Sequence, residues 1–538
     1  MSETDVVIIG GGHNGLVCAF YLASAGLKVA VFERNAEVGG AAVTETFHPG
    51  FRNSAASYAV SLLHSKVISD MELSRHGLTI VERKMSNFLP LDDRRSLAMG
   101  PGLTKAAVAK FSQADAERLE AYGERLEAVA RFVRGLLLQS PPSFAGRSRL
   151  SGVRDLVTTG RMARKAAALD LIARRDLAAL FSQSAGHWLD GWFESDPIKA
   201  AFGFDGIVGT YASPYAAGTA YVLLHHVLGE VNGRKGLWGH AIGGMGAITQ
   251  AMSAACLEKG VALRTNEDVQ EVIVEKGRAV GIATSRGERV AARLVVSNLN
   301  PRLLFERLVD PGELSADFRE RIRRYRCGSG VFRMNLALSE APRFACLPEA
   351  GDHLTAGIII APSLAYMDRA WSEAHQFGWS RAPIIEMLIP STLDETLAPR
   401  GAHVASLFCQ HAAPDLPGGE TWDLHREEVA DLMIATVEAL APGFARSVVA
   451  RSVLSPLDLE RRFGLVAGDI FHGQMSLDQL FSARPVLGHG DYRAPIRNLY
   501  MCGAGAHPGG GVSGAPGHNA AAAIIADVRR KARFAARR

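Results

Sequence analysis

The sequence predicts an α/β protein: a mostly parallel, nucleotide-binding sheet joined to a separate α+β domain and a helical subdomain. Three observations predict it. Residues 5–34, "DVVIIGGGHNGLVCAFYLASAGLKVAVFER", run from an apolar stretch through clustered glycines and a helical pattern into a second apolar stretch. Residues 102–200 are rich in helix formers and poor in breakers. The chain then returns near its end to a short strand and a glycine-rich loop, "NLYMCGAGAHPGGGVSG". At 538 residues it exceeds what one core covers, so two or three domains are expected.

The elements follow in order. Val6 to Ile9 suits a strand buried on both faces. Gly10, Gly12 and Gly15 fall at the spacing of a dinucleotide loop: Gly10 for the tight turn, Gly12 for close approach to a pyrophosphate, Gly15 for helix–strand packing. The spacing predicts a helix from about Asn14 to Ala25, capped by Gly26, then a strand from Leu27 to Phe32. Glu33 ends that strand, where a carboxylate accepts from the hydroxyls of an adenosine ribose and repels a 2'-phosphate. Gly39-Gly40 offers a second close backbone approach, which suits the longer ligand FAD over NAD.

Further on, a helix is expected over Ile248 to Leu257, followed by short alternating strands with turns at Gly277 and Gly287. Val295-Val296-Ser297-Asn298 reads as a strand returning to the first sheet. Residues 330–470 alternate strand patterns such as "HVASLFCQHA" with helical ones such as "REEVADLMIATVEAL". Leu499 to Cys502 is a strand, and a helix is expected from about Ser513, its free amides available to a reduced flavin edge. Pro508 follows Gly503-Ala504-Gly505 too soon for a second nucleotide fold. The segments expected are 1–100, 230–301 and 481–538 for cofactor binding, 101–229 for a helical subdomain and 302–480 for an α+β substrate domain.

Composition excludes several classes. The net charge of +4, with 48% hydrophobic and 21% charged residues, gives no case for nucleic acid. No apolar run reaches the length of a spanning helix. The N-terminus carries no signal or transit pattern, which argues against secretion and an organelle presequence, so a cytoplasmic protein is expected. None of the six cysteines forms C-x-x-C, which removes dithiol chemistry and structural zinc; no metal site is expected. Eight Lys/Arg between Arg147 and Arg175, and six in the last ten residues, read first as solvated faces. Contact with an anionic membrane surface is the alternative.

Together, Gly10-Gly12-Gly15 with Glu33, Gly39-Gly40, "GGMGAI", "VVSN" and "NLYMCGAGAHPGGGVSG" resemble the phytoene desaturase and carotenoid oxidoreductase family of FAD enzymes, which shares its fold with flavin amine oxidases. "GGHNGLVCAFYL", "VGGAAVTE", "SLLHS", "HHVLGEV", "FHGQMSLDQLF" and "GAHPGGGVSGAPG" are similar to a narrower group, the pyridine nucleotide-disulfide oxidoreductase domain-containing proteins of type 2. The resemblance implies a Rossmann-type FAD-binding domain of amine oxidase/phytoene desaturase-like kind. It places Gly10, Gly12 and Gly15 at the pyrophosphate, Glu33 at the ribose and Gly39 and Gly40 along the ribityl phosphate. It also sets the Val269 backbone at the adenine, and Gly503, Ala504 and Val512 near the pyrophosphate and flavin ring. Many relatives carry Arg or Lys after the paired glycines; here Ala41 stands there, and Arg34 is the expected substitute.

The resulting expectation is an FAD-dependent dehydrogenase or desaturase of a hydrophobic or amphipathic small molecule, with hydride passed to flavin N5. His507 and Tyr58 are the candidate catalytic residues, each weighed against a purely structural role. His225-His226, in an apolar stretch, are read as core or pocket lining. The region from Phe202 to Leu228 is a candidate apolar tunnel. The alternatives are a flavin-dependent isomerase or ketolase of a carotenoid-like polyene, and a flavin-holding protein that binds a partner or a membrane.

Overall fold

A computed structural model of the chain describes residues 4–144 and 149–535. Of the basic residues in the 147–175 and C-terminal stretches, Arg147, Arg537 and Arg538 lie outside the described residues, as do the side chains of Arg149 and Arg154.

Both ends of the chain meet in one sheet. The strand Thr4–Ile9 pairs in parallel with Val29–Phe32 on one side and Arg289–Ser297 on the other. Ala262–Arg264 extends the sheet beyond Val29–Phe32, and Leu499–Met501 pairs in parallel with Arg289–Ser297. Arg278–Thr284 and Val269–Glu275 complete it as an antiparallel extension. Val6, Val7 and Ile8 are fully buried because both faces of the sheet are covered, which is why this strand is apolar without alternation. On one face lie the helix His13–Ser24 and its neighbours Gly246–Glu258 and Ala515–Ala535. The other face packs on Leu304, Phe305, Phe318 and Ile322.

The N-terminal helix starts one residue before the expected Asn14, with Gly12 as its N-cap and no side-chain cap. The C-terminal helix starts at Ala515, two residues after the expected Ser513.

A second seven-stranded sheet runs in the order Val448–Leu454, Val331–Leu338, His403–Ala412, Trp379–Leu388, Gly357–Ile360, Asn87–Pro90, Ser96–Met99. It is antiparallel apart from the Gly357–Ile360/Asn87–Pro90 pair. The strands at 87–99 correct the expected segment 1–100: they belong to this sheet and not to the first. Alternating side chains reveal a strand but not its partner. Helices including Gln113–Leu137, Arg149–Ala167, Leu171–Ser182 and Thr219–His226 fill the region between residues 101 and 229. Among the described residues no helix is long and apolar enough to cross a membrane.

Candidate functional site

A long cleft opens at the ends of the parallel strands, where the strands ending at Ile9, Phe32 and Ser297 finish and the chain turns. Open α/β sheets hold ligands at this position. Its walls come from both chain ends and from the middle. Glu33, Arg34 and Val269, Gly10, Gly12 and Asn14, and Ala504 and Gly510 to Val512 all line it.

The glycines explain the shape. Gly10 has φ +92°, and a Cβ on Gly15 would lie 2.3 Å from the Gly10 carbonyl oxygen, so no side chain fits while the helix leaves its strand this tightly. Gly39 N donates to Gly11 O at 2.9 Å, and a Cβ on Gly40 would stand 3.3 Å from Gly12 Cα. The two glycine pairs, separate in sequence, thus form one bare main-chain surface at an uncapped helix N-terminus, a site suited to a diphosphate. Gly503 supports it from behind, since a Cβ there would lie 2.4 Å from Asn298 O. Gly15 and Gly503 are supports and do not line the cleft.

Glu33 is 5% exposed, and its carboxylate already accepts from Gly11 N (2.8 Å) and Asn35 N (2.9 Å). A carboxylate offers about four acceptor positions, so it rigidifies the loop and still has lone pairs for a ribose. Arg34 lines the cleft too, and its Nη2 donates to Arg461 O (3.3 Å) and Arg462 O (2.8 Å), the last carbonyls of the helix Pro456–Phe463. Ala41 sits beside Gly40, its carbonyl accepting from Ser57 N (3.0 Å) and Ser57 Oγ (2.9 Å). Val512 lines the cleft at φ +55°, a strained conformation for a β-branched residue, and His472, also in the lining, is left-handed at φ +57°.

Four polar atoms on the cleft's walls are buried without partners: His13 Nε2, Asn14 Oδ1, Glu267 Oε2 and His472 Nδ1. Buried polar groups are satisfied in the working state of a protein, so these mark where a polar ligand completes the structure. Burial, with His472 nearby, pushes the His13 imidazole down to about 3; a diphosphate beside it would favour the charged form. Glycine spacing did not single out these residues, although His13 and Asn14 lie inside the motif itself. Arg484, also missed, is fully buried, and its guanidinium reaches Ala504 O (2.8 Å), Phe471 O (2.6 Å), Gln479 O (3.1 Å) and Gly473 O (3.2 Å). It pins the 471–479 segment to the C-terminal glycine loop.

The two candidate catalytic residues do not meet in the cleft. His507 is not among its lining residues. Its Nε2 pairs with Leu136 O (3.1 Å), its ring stands edge-on to Phe481, and burial lowers it to about 4. The ring holds the glycine loop against the helix Gln113–Leu137. Tyr58 follows the cleft residue Ser57 but faces a separate small cavity with Arg83, Asp205, His226, Trp238 and Glu386. Its hydroxyl donates to Glu386 Oε2 at 2.6 Å, and Arg333 stacks on its ring at 4.6 Å. Burial raises the Tyr58 hydroxyl and the Glu386 carboxyl. His226, lowered by burial to about 4, pairs with Val222 O at 2.8 Å.

Burial, reinforced by the Glu386 carboxylate, pushes the Asp205 carboxyl up to about 8 from an ordinary 3.8. Over that window the folded protein holds more protons than the unfolded chain, so this site's contribution to stability declines as pH rises from about 4 to about 8. Thermal melts across this range should show Asp205→Asn losing less stability than the wild type. Parallel curves for the two proteins would refute the assignment.

All six cysteines are free.

Comparison with known proteins supplies the setting. The family described as flavin containing amine oxidoreductase matches residues 15–525. Pyridine nucleotide-disulfide oxidoreductase domain-containing protein 2 of Rattus norvegicus is 40% identical over 98% of this chain and 94% of its own. A limonene dehydrogenase subunit of Castellaniella defragrans is 24% identical over 98% of this chain and 95% of its own. Among solved structures, an oxidoreductase from Methanosarcina mazei superposes with a TM-score of 0.60 at 17% identity, covering 97% of this chain and all of that one.

Proposed function

The chain belongs to the flavin-containing amine oxidoreductase family and is an FAD-dependent oxidoreductase, and from that premise we propose that it is a dehydrogenase or desaturase of a hydrophobic small molecule. The observation that carries the cofactor's placement is the bare glycine surface ringed by unpartnered polar atoms at the strand ends. In this reading Gly10, Gly12, Gly39 and Gly40 hold the diphosphate, Glu33 the ribose, the Val269 backbone the adenine, and Ala504 and Val512 the ring end. Arg34 acts by fixing the helix end at Arg461 and Arg462. Bound FAD supplies the hydride acceptor, N5. The chain's part is to position the substrate and exclude water. Leu228 of the 202–228 region, in a cavity whose lining residue Gly510 also lines the cleft, serves that purpose. The name of the limonene dehydrogenase relative supports hydrogen removal from an apolar molecule.

Anaerobic mixing of FAD-loaded protein with a panel of apolar and amphipathic small molecules tests this. Bleaching of the flavin band by at least one of them is the expected result. If none bleaches it, the flavin-holding alternative replaces the proposal; turnover without net electron transfer points to the isomerase.

A membrane contact belongs to the same proposal. Val153, Leu156 and Val157 on the helix Arg149–Ala167, with Leu171 and Ile172 beyond it, are all at least 46% exposed. Arg161, Arg164, Lys165, Arg174 and Arg175 are exposed beside them. Exposed apolar groups flanked by cations suit an anionic lipid surface. The protein should float with anionic liposomes and not with neutral ones, and Leu156→Glu should abolish flotation. Equal behaviour with both liposomes would end the idea. We place it in the cytoplasm, where six unpaired thiols persist.

A further inference from the structure

Behind the C-terminal glycine loop lies a second cavity, of about 150 Å³. Leu62, Leu63, Leu137 and Leu228 form its apolar wall, and Gly510 lines both this cavity and the cofactor cleft. A Cβ on Gly511 would lie 2.3 Å from Leu62 Cδ1 and 3.5 Å from His225 Nε2.

His225 projects from the buried helix Thr219–His226 and is 3% exposed. Neither ring nitrogen has a hydrogen-bond partner, although the Gly510 carbonyl is near enough to favour the charged form. Among the described residues that line this cavity, His225 is the one with buried polar atoms left unpartnered. Arg134, on the same wall, is already committed: it donates to Leu228 O (2.8 Å), Val227 O (2.7 Å) and the Glu127 carboxylate.

The lining is mostly apolar, with His64, Ser65, Glu230 and Ser513 as its other polar residues, and an unpartnered polar side chain in such a cavity implies a ligand that is mostly hydrocarbon with one hydrogen-bonding group. Burial lowers His225 to about 3, so its ring is neutral, with one donor and one acceptor nitrogen. A hydroxyl matches either nitrogen. Opposite the neutral His225 ring a carboxylate or ammonium would be buried at high cost, since Glu230 and Arg134 are the charged groups of this lining and Arg134 is already committed. An apolar cavity of roughly this volume accepts a six-carbon ring.

We propose that this cavity is the substrate chamber, and that His225 hydrogen-bonds a hydroxyl on a neutral, compact, cyclic hydrocarbon molecule held against the leucines, next to Gly510. The proposal rests on the FAD-dependent reading above, and it names the substrate's class.

The test uses FAD-loaded protein with cyclohexanol and methylcyclohexane as probes, read by perturbation of the flavin spectrum and by the thermal midpoint. Wild type should bind cyclohexanol about tenfold more tightly, the worth of one buried hydrogen bond. His225→Phe should erase that preference while keeping its FAD. Leu137→Trp, which fills the chamber, should weaken both probes. A preference that survives His225→Phe, or binding that ignores Leu137→Trp, would overturn the proposal. Colourless protein would instead refute the cofactor reading. The chamber would then be judged by the thermal midpoint alone, which cyclohexanol should raise in wild type and not in His225→Phe.

Discussion

Glu33→Arg should purify colourless and fail to take up added FAD. The buried carboxylate holds two main-chain amides, those of Gly11 and Asn35, at 2.8 and 2.9 Å. It thereby fixes the loop between Gly10 and Gly12 before any ligand arrives. An arginine there leaves both amides unsatisfied and places a cation beside them in a buried site. Losing two charge-assisted hydrogen bonds costs about 3–5 kcal/mol, or roughly a hundredfold or more in FAD affinity. Glu33→Gln keeps the shape and one acceptor oxygen, so it should fall between the two. The measurement is FAD retained after gel filtration, with a titration of the stripped protein. Wild-type retention in Glu33→Arg would remove the ribose-end assignment.

The second large effect is expected at Arg484. Its guanidinium is fully buried and bonded to main-chain carbonyls of residues 471, 473, 479 and 504. Two of these segments flank the cleft through His472 and Ala504. Arg484→Met fills the space but strands those carbonyls, at a cost of roughly 3–5 kcal/mol. A lowered thermal midpoint and weakened FAD retention should appear together. Arg484→Lys should recover little, because a point charge cannot span carbonyls that a planar fork reaches at once. If Arg484→Met melts like wild type and keeps its cofactor, the loop is held by something else.

How legible each residue was depends on how far away its partners lie. Gly10, Gly12, Gly15 and Glu33 were readable because a strand, a turn and a helix make their demands within about thirty residues. The N-terminal helix began one residue before the expected start because Gly12 caps it without a side chain, leaving no Ser, Thr, Asn or Asp to mark the boundary. The strands Asn87–Pro90 and Ser96–Met99 fall within the segment expected for cofactor binding but join the other sheet, because Asn87–Pro90 pairs with Gly357–Ile360, some 270 residues downstream. His507 drew attention as the histidine of a glycine loop, yet its nitrogen is occupied by Leu136 O, 371 positions away. His472, which lies inside "FHGQMSLDQLF" without having been singled out there, lines the cleft, as does His13.

Strand, glycine turn, helix, strand and acid were bound to build half of a dinucleotide site from the order of residues 5–34 alone, because backbone conformation and close approach are local demands that particular residues answer. Which distant loops close that site, which histidine faces it, and that a lone arginine ties its far wall together became settled only in the folded chain. Those outcomes depend on hydrogen bonds and packing between segments hundreds of residues apart, and no local pattern in the chain encodes who will meet whom.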